Sequence, residues 1–567
     1  MWLVDDLFVF VGTTPPPFPF DKEDVIWIVV LAFIISFILG VALGANDVAN
    51  SFGTSVGAKV LTLYQACFIA AIFETGGAML MGYKVSDTIR KGLFDPLLYE
   101  GYEELLMIGN LCALAASCIW LFVATGFRIP VSATHSIVGA SLGFHLVAFG
   151  GLGVNWRVVI LIILSWFCSP AISGAISSVI FTILNYSVLK SKNQLRNGLI
   201  SLPFWYFLVF FVNMFSIFYG SSEIFKAIDE LWETFAIAIG TGVGVAILVI
   251  FILIPVTRKR VLATRVKSAE NVESGAATET KKSEDNVSDP SPTEETDEKE
   301  QQTDKEATED VEENDEDSKD QPSTSSNEVE DNVDDPKKIL CPDDTPPSYE
   351  TVQEGKVVIT EFEKDAPKSM MVKKGSDEWN SVKDTPEVRA LCAPMQVMSA
   401  CFAAFTHGGN DVSNCIGPLV SLWIIFTTGE VHQNDLTPFW ILFYGAAGIS
   451  FGLFVLGRRV IQTVGEDLTP MTPSNGFAIE LGSATTVLIA SNLGVPISTT
   501  HCQVGSVCAT GFVRTRRAVD WRLFSGIFSA WVVTLPITIL LSGALFGLLQ
   551  HVVPNLYPHP VWPTHNY

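Results

Sequence analysis

This sequence lacks the usual signatures of catalysis and metal binding. None of its ten cysteines falls in a paired metal-binding or redox spacing. Most of the cysteines lie inside apolar stretches, as do Cys67, Cys112, Cys118, Cys168, Cys401 and Cys508. We therefore expect buried small side chains rather than disulfides or metal ligands. No nucleophile–base arrangement and no nucleotide-binding loop is present, so we do not expect an enzyme.

Charge of either sign is scarce outside one segment. The first eight residues, MWLVDDLF, contain no basic residue, so a cleavable signal peptide is not predicted. The net charge of −24 comes mainly from residues 270–335, which hold 26 acidic and 5 basic residues, whereas the rest of the chain holds 34 acidic and 31 basic. The acidity therefore belongs to one loop and carries no information about a substrate.

Long apolar runs are abundant, and 49% of the 567 residues are hydrophobic. A membrane-spanning helix needs about 20 apolar residues. Runs of about this length or more recur at residues 25–43, 158–184, 202–219, 236–256 and 523–549. The sequence therefore predicts an all-α, multi-pass membrane protein.

Two near-duplicate segments place ionisable residues inside this apolar sequence. GANDVANSFGTSVGAKV occupies residues 44–60, and GGNDVSNCIGPLV occupies residues 408–420. A charged side chain at membrane depth costs roughly 2.5–3.5 kcal/mol or more, which makes an ion or substrate pathway the first interpretation. Two copies in matching context indicate one site built from two halves.

The repetition extends well beyond these segments. RIPVSATHSIVG at 128–139 matches GVPISTTHCQVG at 494–505, and NWR at 155–157 matches DWR at 520–522. A second tryptophan follows ten residues after the first in each copy, at Trp166 and Trp531. Equivalent positions are separated by 364 to 366 residues, which indicates a duplication.

Basic residues predict that the two copies are inverted. Arg514, Arg516 and Arg517 stand where the first copy has the uncharged AFGGLGVN, and basic residues favour the cytoplasmic side. We expect about 12 transmembrane helices, with broken or re-entrant helices at the midplane. The predicted order is an extracellular N-terminus (1–24), membrane repeat 1 (25–190), two spacer helices (198–256), a disordered acidic cytoplasmic loop (257–390), membrane repeat 2 (391–550) and an extracellular C-terminus (551–567).

The repeated NDVxN core is the first candidate site. It comprises Asn46, Asp47 and Asn50 in one copy and Asn410, Asp411 and Asn414 in the other. We expect Gly44 and Gly408 to permit an unwound backbone there, so that carboxylate, amide and main-chain oxygens converge on a cation such as Na⁺. The alternative is that these groups cap a broken helix or hold two spans together.

The PxSxTH motif is the second candidate. It comprises Pro130, Ser132, Thr134 and His135, repeated as Pro496, Ser498, Thr500 and His501. A half-helix N-terminus with hydroxyl groups is suited to bind an anion, and ordinary N-capping is the alternative. The two histidines could be ligands, proton carriers or structural hydrogen-bond partners.

Two glutamates, Glu74 and Glu480, also lie within apolar sequence. They are not equivalent at the repeat offset, which places Phe439 opposite Glu74. Cation binding or proton handling would explain them, and so would a structural role beside a buried arginine or backbone group.

The acidic loop carries one short motif, PPSY at residues 346–349. WW domains recognise the PPxY form through polyproline II geometry. Pro346, Pro347 and Tyr349 therefore predict a WW-domain partner.

At these residues the chain resembles the inorganic phosphate transporter (PiT) family. The match covers both membrane parts, residues 25–189 and 391–550, and rests on the duplicated GANDVANSFGTSVGAK and PxSxTH motifs. The resemblance implies twelve transmembrane segments, both termini outside, and symport of Na⁺ with phosphate at the plasma membrane. Na⁺ would be a co-transported ion and no bound cofactor is implied.

The same resemblance implies roles for individual residues. Asp47 and Asp411 would be essential aspartates that bind Na⁺, Glu74 and Glu480 essential glutamates, and Ser132 and Ser498 substrate-binding serines. One departure is that the second copy ends in GPLV where the first has GTSVGAK. The hydroxyl contribution of the two copies therefore differs.

The predicted function is Na⁺-coupled import of inorganic phosphate across the plasma membrane by alternating access. The alternatives are a proton-coupled phosphate or sulfate transporter of the same fold and a phosphate sensor or scaffold acting through the cytoplasmic loop. Protonated phosphate carries O–H donors that sulfate lacks, which favours phosphate at a site with carboxylates. Membrane lipid is an expected partner, and nucleic acid is not.

Overall fold

A computed structural model describes residues 20–219, 230–264, 266, 350–353, 356–359, 382–457, 460–461, 465, 467–515 and 519–552. The chain divides into a membrane unit and a second unit of residues Ser274–Lys368. In the second unit, β1 (Glu350–Gln353) and β2 (Lys356–Ile359) pair as an antiparallel hairpin. The loop expected to be disordered therefore contains eight residues of strand. The PPSY motif lies outside the described residues.

Twelve α-helices form the described part of the membrane unit. They are α1 (Lys22–Gly57), α2 (Leu63–Lys91), α3 (Glu103–Gly126), α4 (Ala133–Phe149), α5 (Trp156–Leu184), α6 (Gln194–Phe218), α7 (Leu231–Leu248), α8 (Pro386–Thr428), α9 (Phe439–Leu456), α10 (Pro473–Asn492), α11 (Thr499–Arg514) and α12 (Trp521–Val552). Short π-helical turns extend α5 (Asn185–Leu189) and α7 (Val249–Leu253), and a 3₁₀ turn covers Pro96–Tyr99. Five helices precede, and five follow, the two spacers α6 and α7.

The predicted all-α membrane architecture is confirmed. Nine helical segments of the described chain are long and apolar enough to cross a membrane. The boundaries differ slightly from those predicted, because helical structure after α7 continues to Thr264 and α8 already begins at Pro386. Thr385 caps α8 by accepting from the Val388 N–H, and a proline at the first helical position suits that start.

Two short helices begin at the PxSxTH motifs. The helices α4 and α11 have 17 and 16 residues, so each is about 25 Å long, shorter than the ~30 Å hydrocarbon core. In the linkers that lead into them, Arg128 and Gly494 occupy equivalent positions and both have positive φ, 61° and 67°. The same local chain reversal therefore precedes both short helices.

The two sets of five helices pack against each other reciprocally. Gly44 of α1 lies against the Ile449 carbonyl of α9, and Gly408 of α8 lies against the Glu74 backbone of α2. Because Gly44 and Gly408 are equivalent positions of the repeat, the residues that they contact, Ile449 and Glu74, are equivalent as well. The constant offset pointed to Phe439 instead, and it fails here because α8 continues 14 residues past Asn414, whereas α1 ends seven residues past Asn50.

The cysteines are mostly buried, as expected. All nine in the described part of the chain are free thiols. Cys168 is exposed on α5 and Cys401 is only partly buried, so the prediction of burial is wrong for Cys168. An apolar residue of a membrane helix can face either the protein core or the lipid. Both environments are apolar, so the sequence does not show which of the two a given residue faces.

Candidate functional site

Three acidic side chains meet at one internal cavity. Asp47 from α1, Glu74 from α2 and Asp411 from α8 line it, and its cavity volume is about 10 Å³, room for roughly one water molecule. Asp47 and Asp411 are 7% and 5% exposed. The structure thus brings the two repeated aspartates to one place, together with one of the two glutamates.

The backbone at the NDVxN segments is helical, and the prediction of an unwound segment is wrong. Both segments lie inside continuous helices of 36 and 43 residues. Gly44 and Gly408 serve packing instead, since a Cβ at either would overlap a backbone carbonyl oxygen of the facing helix. With the carbonyls engaged in the helix, ligands at these segments come from side chains.

The first half of the site is a hydrogen-bonded group around Asp47. Asn50 Nδ2 donates to Asp47 Oδ1 at 3.0 Å and to Thr500 Oγ1 at 3.0 Å. The Thr500 hydroxyl lies 3.2 Å from Asp47 Oδ1 and 3.1 Å from the Val131 carbonyl oxygen. Asp47 Oδ2 and Asn50 Oδ1 have no hydrogen-bond partner within the described chain. These two buried oxygens are suited to ligate a small cation.

The second half surrounds Asp411. Asn410 Nδ2 donates to Asp411 Oδ1 at 3.0 Å and to the Ile497 carbonyl at 3.2 Å. The Thr499 hydroxyl lies 3.3 Å from Asp411 Oδ2. Both side-chain polar atoms of Asn414 are buried and have no partner among the described residues. Each half therefore contributes an aspartate and an asparagine oxygen.

Asn46 holds the chain that leads into α4. Its Nδ2 donates to Thr125 Oγ1 at 3.1 Å and to the Ile129 carbonyl at 3.2 Å, and its Oδ1 accepts from the Val131 N–H at 3.1 Å. The amide donors and the oxygen acceptor of this side chain are thus all hydrogen-bonded to protein groups. It therefore supports the alternative that some NDVxN groups hold structure together.

The PxSxTH hydroxyls have protein partners in this structure. Ser132 Oγ and Ser498 Oγ accept from the N–H groups of His135 and His501, at 3.2 Å each, and so cap α4 and α11. The Thr134 hydroxyl donates to the Ile497 carbonyl at 3.2 Å. Capping uses a lone pair of each serine oxygen and leaves its O–H able to donate. Phosphate binding by these hydroxyls remains a prediction.

The two predicted histidines form a buried aromatic contact. The rings of His135 and His501 are 4.7 Å apart, and both side chains are fully buried. His135 packs on Trp166 at 4.9 Å, and His501 packs on Trp531 at 3.8 Å. None of their ring nitrogens has a hydrogen-bond partner in the described part of the chain. These contacts join α4 to α11, and they explain why the second tryptophan of each repeat accompanies the histidine.

The two glutamates occupy different surroundings. Glu74 accepts from the Ser51 hydroxyl at 3.0 Å. Glu480, which is fully buried and does not line the cavity of Glu74, accepts from Ser55 Oγ at 2.7 Å and from the hydroxyls of Thr54 and Ser399. Two of its donors belong to GTSVGAK, where the second copy has Pro418 and Leu419. The two hydroxyl residues that the second copy lacks, Thr54 and Ser55, are therefore the hydrogen-bond partners of Glu480.

Several site residues escaped the sequence analysis. Ser51, Ser399 and Thr499 reach the acidic side chains, and His407 lines the cavity with both ring nitrogens buried and without a partner among the described residues. A signal existed for Thr499, because the first copy has Ala133 at the equivalent position. In the described chain, no group of three or more His, Cys, Asp or Glu side chains is placed closely enough to hold a metal ion together.

Comparisons with known proteins agree with this architecture. Sodium-dependent phosphate transporter 2 of Bos taurus is 38% identical, over 93% of this chain and 99% of its own. The Homo sapiens transporter of the same name is 37% identical over the same shares, and sodium-dependent phosphate transporter 1 of Rattus norvegicus is 37% identical over 96% and 98%. A solved structure titled "The sodium-dependent phosphate transporter" has a TM-score of 0.66 and 29% identity, and covers 93% of this chain and 100% of its own.

The family match spans the whole candidate site. Residues 43–542 match the family model described as the phosphate transporter family, and this range includes both NDVxN segments and both PxSxTH motifs. With these relatives and its apolar helices, the chain is a multi-pass membrane protein. It belongs to the phosphate transporter family.

Proposed function

We propose that the protein is a Na⁺-coupled symporter that imports inorganic phosphate across the plasma membrane by alternating access. The family and the names of the relatives support this function. The structural observation that carries it is the cavity that Asp47, Glu74 and Asp411 share. Asp47 Oδ2 and the side-chain oxygens of Asn50 and Asn414, each three residues after an aspartate, are buried and have no hydrogen-bond partner among the described residues. No enzyme activity is proposed.

Na⁺ binding follows from the charge of this cavity. Buried carboxylates are costly unless they are paired or bind a cation. Among the residues that the structure describes, no lysine or arginine lines the cavity of Asp47 and Asp411. Na⁺ accepts carboxylate and amide oxygens as ligands, and Asp47 Oδ2, Asn50 Oδ1 and Asn414 Oδ1 are such atoms.

Phosphate binding follows from the meeting of two helix N-termini. Thr134 at the start of α4 bonds to Ile497, and Thr500 at the start of α11 bonds to Val131, so the two N-termini lie together. Helix N-termini present positive dipole ends and N–H donors to anions. Ser132 and Ser498 add hydroxyl donors. Bound Na⁺ lowers the electrostatic cost of bringing phosphate beside the aspartates.

Alternating access would follow from movement of one repeat against the other. The reciprocal packing of α1 on α9 and of α8 on α2 is what two repeats related by a pseudo-twofold axis produce, and inverted repeats have such an axis. In our proposal the cations and phosphate bind between the repeats, whose rocking then opens the site to either side.

Uptake of labelled phosphate in Na⁺ or choline medium at constant pH tests the function. We expect uptake to require Na⁺, because the anion approaches buried carboxylates that need a cation. We also expect arsenate to compete and sulfate not to compete, because arsenate shares the O–H donors of phosphate and sulfate lacks them. Equal uptake in choline would favour proton coupling, and no uptake in either medium would contradict transport.

The Thr499 hydroxyl provides a finer test of the cation site. Thr499→Val removes the hydroxyl beside Asp411, and a hydrogen bond to a charged group contributes about 1.5–3 kcal/mol. We therefore expect the Na⁺ concentration for half-maximal uptake to rise about tenfold. Thr486→Val is the matched control, since Thr486 is also buried but bonds only to Gly482 of its own helix. Equal effects of the two substitutions would contradict a role for Thr499 at the cation site.

A further inference from the structure

The two spacer helices, α6 and α7, form an antiparallel hairpin outside the two repeats. The rings of Phe215 and Phe235 lie 4.8 Å apart, and Gly242 packs against the Phe207 ring. Among the nine candidate spans of the described chain, the one that contains α7 is the least buried and α6 is the next. The hairpin therefore exposes more of its surface to lipid than the spans of the repeats do.

One end of this hairpin carries a group of exposed cations, the basic cluster. From the contact between Phe207 and Gly242, a rise of 1.5 Å per residue places Arg196 about 17 Å and Arg258 about 24 Å away in the same direction. Within the described chain, none of the side chains of the cluster forms an ion pair. This end of the hairpin is therefore positively charged. The basic cluster comprises Lys192, Arg196, Arg258, Lys259 and Arg260.

The helix that carries three of these cations is held in place. Helical structure continues from α7 to Thr264, and Val261 is fully buried in the same apolar cluster as Leu391 of α8. Elsewhere on the helix, Val256 and Leu262 are exposed beside the cations. The surface thus combines positive charge at a fixed position with apolar side chains.

The length of the apolar stretch places the basic cluster at the level of lipid head groups. Residues 235–256 are 22 uncharged residues that span about 33 Å, close to the ~30 Å hydrocarbon core. Arg258 follows this stretch after one residue. In the orientation of the proposed function, this end faces the cytoplasm, where anionic lipids are concentrated.

We propose that the basic cluster binds anionic phospholipids of the cytoplasmic leaflet, of the class of phosphatidylserine. Lysine and arginine side chains beside a membrane helix attract the negatively charged head groups of such lipids. The cations lie on two neighbouring helices, so bound head groups would connect the ends of α6 and α7. The proposal rests on the membrane orientation of the proposed function, though not on its transport chemistry.

The acidic loop of this chain is the other candidate with a suitable charge. Residues 270–335 hold 26 acidic and 5 basic residues and begin shortly after the basic cluster. They contain no leucine, isoleucine, methionine or aromatic residue, so they offer little to cover Val256 and Leu262. Lipid covers apolar side chains with its acyl chains while its head group meets the cations. Lipid therefore fits both parts of this surface, whereas the loop fits one.

Binding is measured on the purified full-length protein in choline buffer without phosphate, so that a failure of Na⁺-coupled transport does not affect the result. The probes are dioctanoyl phosphatidylserine and dioctanoyl phosphatidylcholine, which have the same acyl chains and differ in net charge. The test variant is Arg258→Gln with Lys259→Gln. The control is Arg157→Gln with Lys59→Gln, which also removes one arginine and one lysine, both exposed and both outside the hairpin.

We expect the original protein and the control to prefer phosphatidylserine, and the test variant to bind this lipid on the order of tenfold more weakly. Binding of phosphatidylcholine should not change. In about 1 M choline chloride the screening length falls to about 3 Å, so the preference of the original protein should disappear. Arg258 and Lys259 are exposed, and an unchanged melting temperature would verify that the test variant folds.

Equal binding of the two lipids by the original protein would overturn the proposal, and this measurement needs no variant. Unchanged phosphatidylserine binding by the test variant, or an equal loss in the control, would overturn it as well. A zero-length carbodiimide cross-link from Lys259 to a carboxylate of residues 270–335, together with equal binding of the two lipids, would assign the basic cluster to the acidic loop instead.

Discussion

Replacing Asp47 or Asp411 by asparagine is expected to abolish Na⁺-driven phosphate uptake while leaving the protein at the cell surface. Asparagine keeps the size of the side chain and an oxygen acceptor for the Asn50 and Asn410 amides, which bond to Asp47 and Asp411 at 3.0 Å. It removes the negative charge that, in the proposed site, binds the cation. Removing one partner of a buried charge pair costs about 3–5 kcal/mol, so uptake should fall by on the order of 100-fold or more.

The experiment compares Na⁺-dependent uptake per molecule at the surface, determined by surface labelling. Asp21→Asn is the matched control, because it is the same aspartate-to-asparagine substitution at the N-cap of α1. There the Asp21 side chain accepts a hydrogen bond from the Glu23 N–H at 3.0 Å. Asparagine and aspartate are nearly equal as N-caps, so the control should transport normally. Normal uptake by Asp47→Asn or by Asp411→Asn would contradict the proposed site.

The features that sequence predicted well are those fixed by local chemistry. A serine followed by helix-forming residues after a proline defines a helix start, and α4 and α11 do begin directly after Ser132 and Ser498. The duplicated NDVxN segments were sufficient to pair Asp47 with Asp411, because a repeat relates positions however far apart they lie in the chain. Both aspartates line the same cavity.

The features that sequence did not predict depend on distant parts of the chain. Gly44 is compatible with an unwound backbone or with a close helix crossing, and only the carbonyl of Ile449 on α9 decides between them. The environment of Glu480 likewise comes from Thr54 and Ser55, more than 400 residues away. Hydroxyl residues have no periodic pattern that would show which acidic side chain they reach.

A pair of adjacent glycines provides the sharpest test of the packing. Gly77→Ala should lower the melting temperature and the surface level of the protein, because its Cβ would overlap the Phe405 carbonyl oxygen. Backbone of a facing helix moves less readily than a side chain, and overpacking costs about 1–3 kcal/mol. Alanine regains only about 1 kcal/mol of helix propensity, so the net effect is destabilising. Because α2 also places Glu74 against Gly408, uptake per molecule should fall as well.

Gly76→Ala is the control, since it is the same glycine-to-alanine substitution one position earlier on α2. Its Cβ would come no closer than 3.9 Å to the Phe405 ring, an ordinary contact. Helix propensity then acts alone, and the melting temperature of the purified protein should stay the same or rise. If Gly77→Ala were equally well tolerated, α2 and α8 could not be as close as the structure places them, and the shared cavity of Glu74 and Asp411 would lose its support. A large loss confined to Gly77→Ala would instead show that the contact between the repeats, rather than the loss of glycine itself, holds the site together.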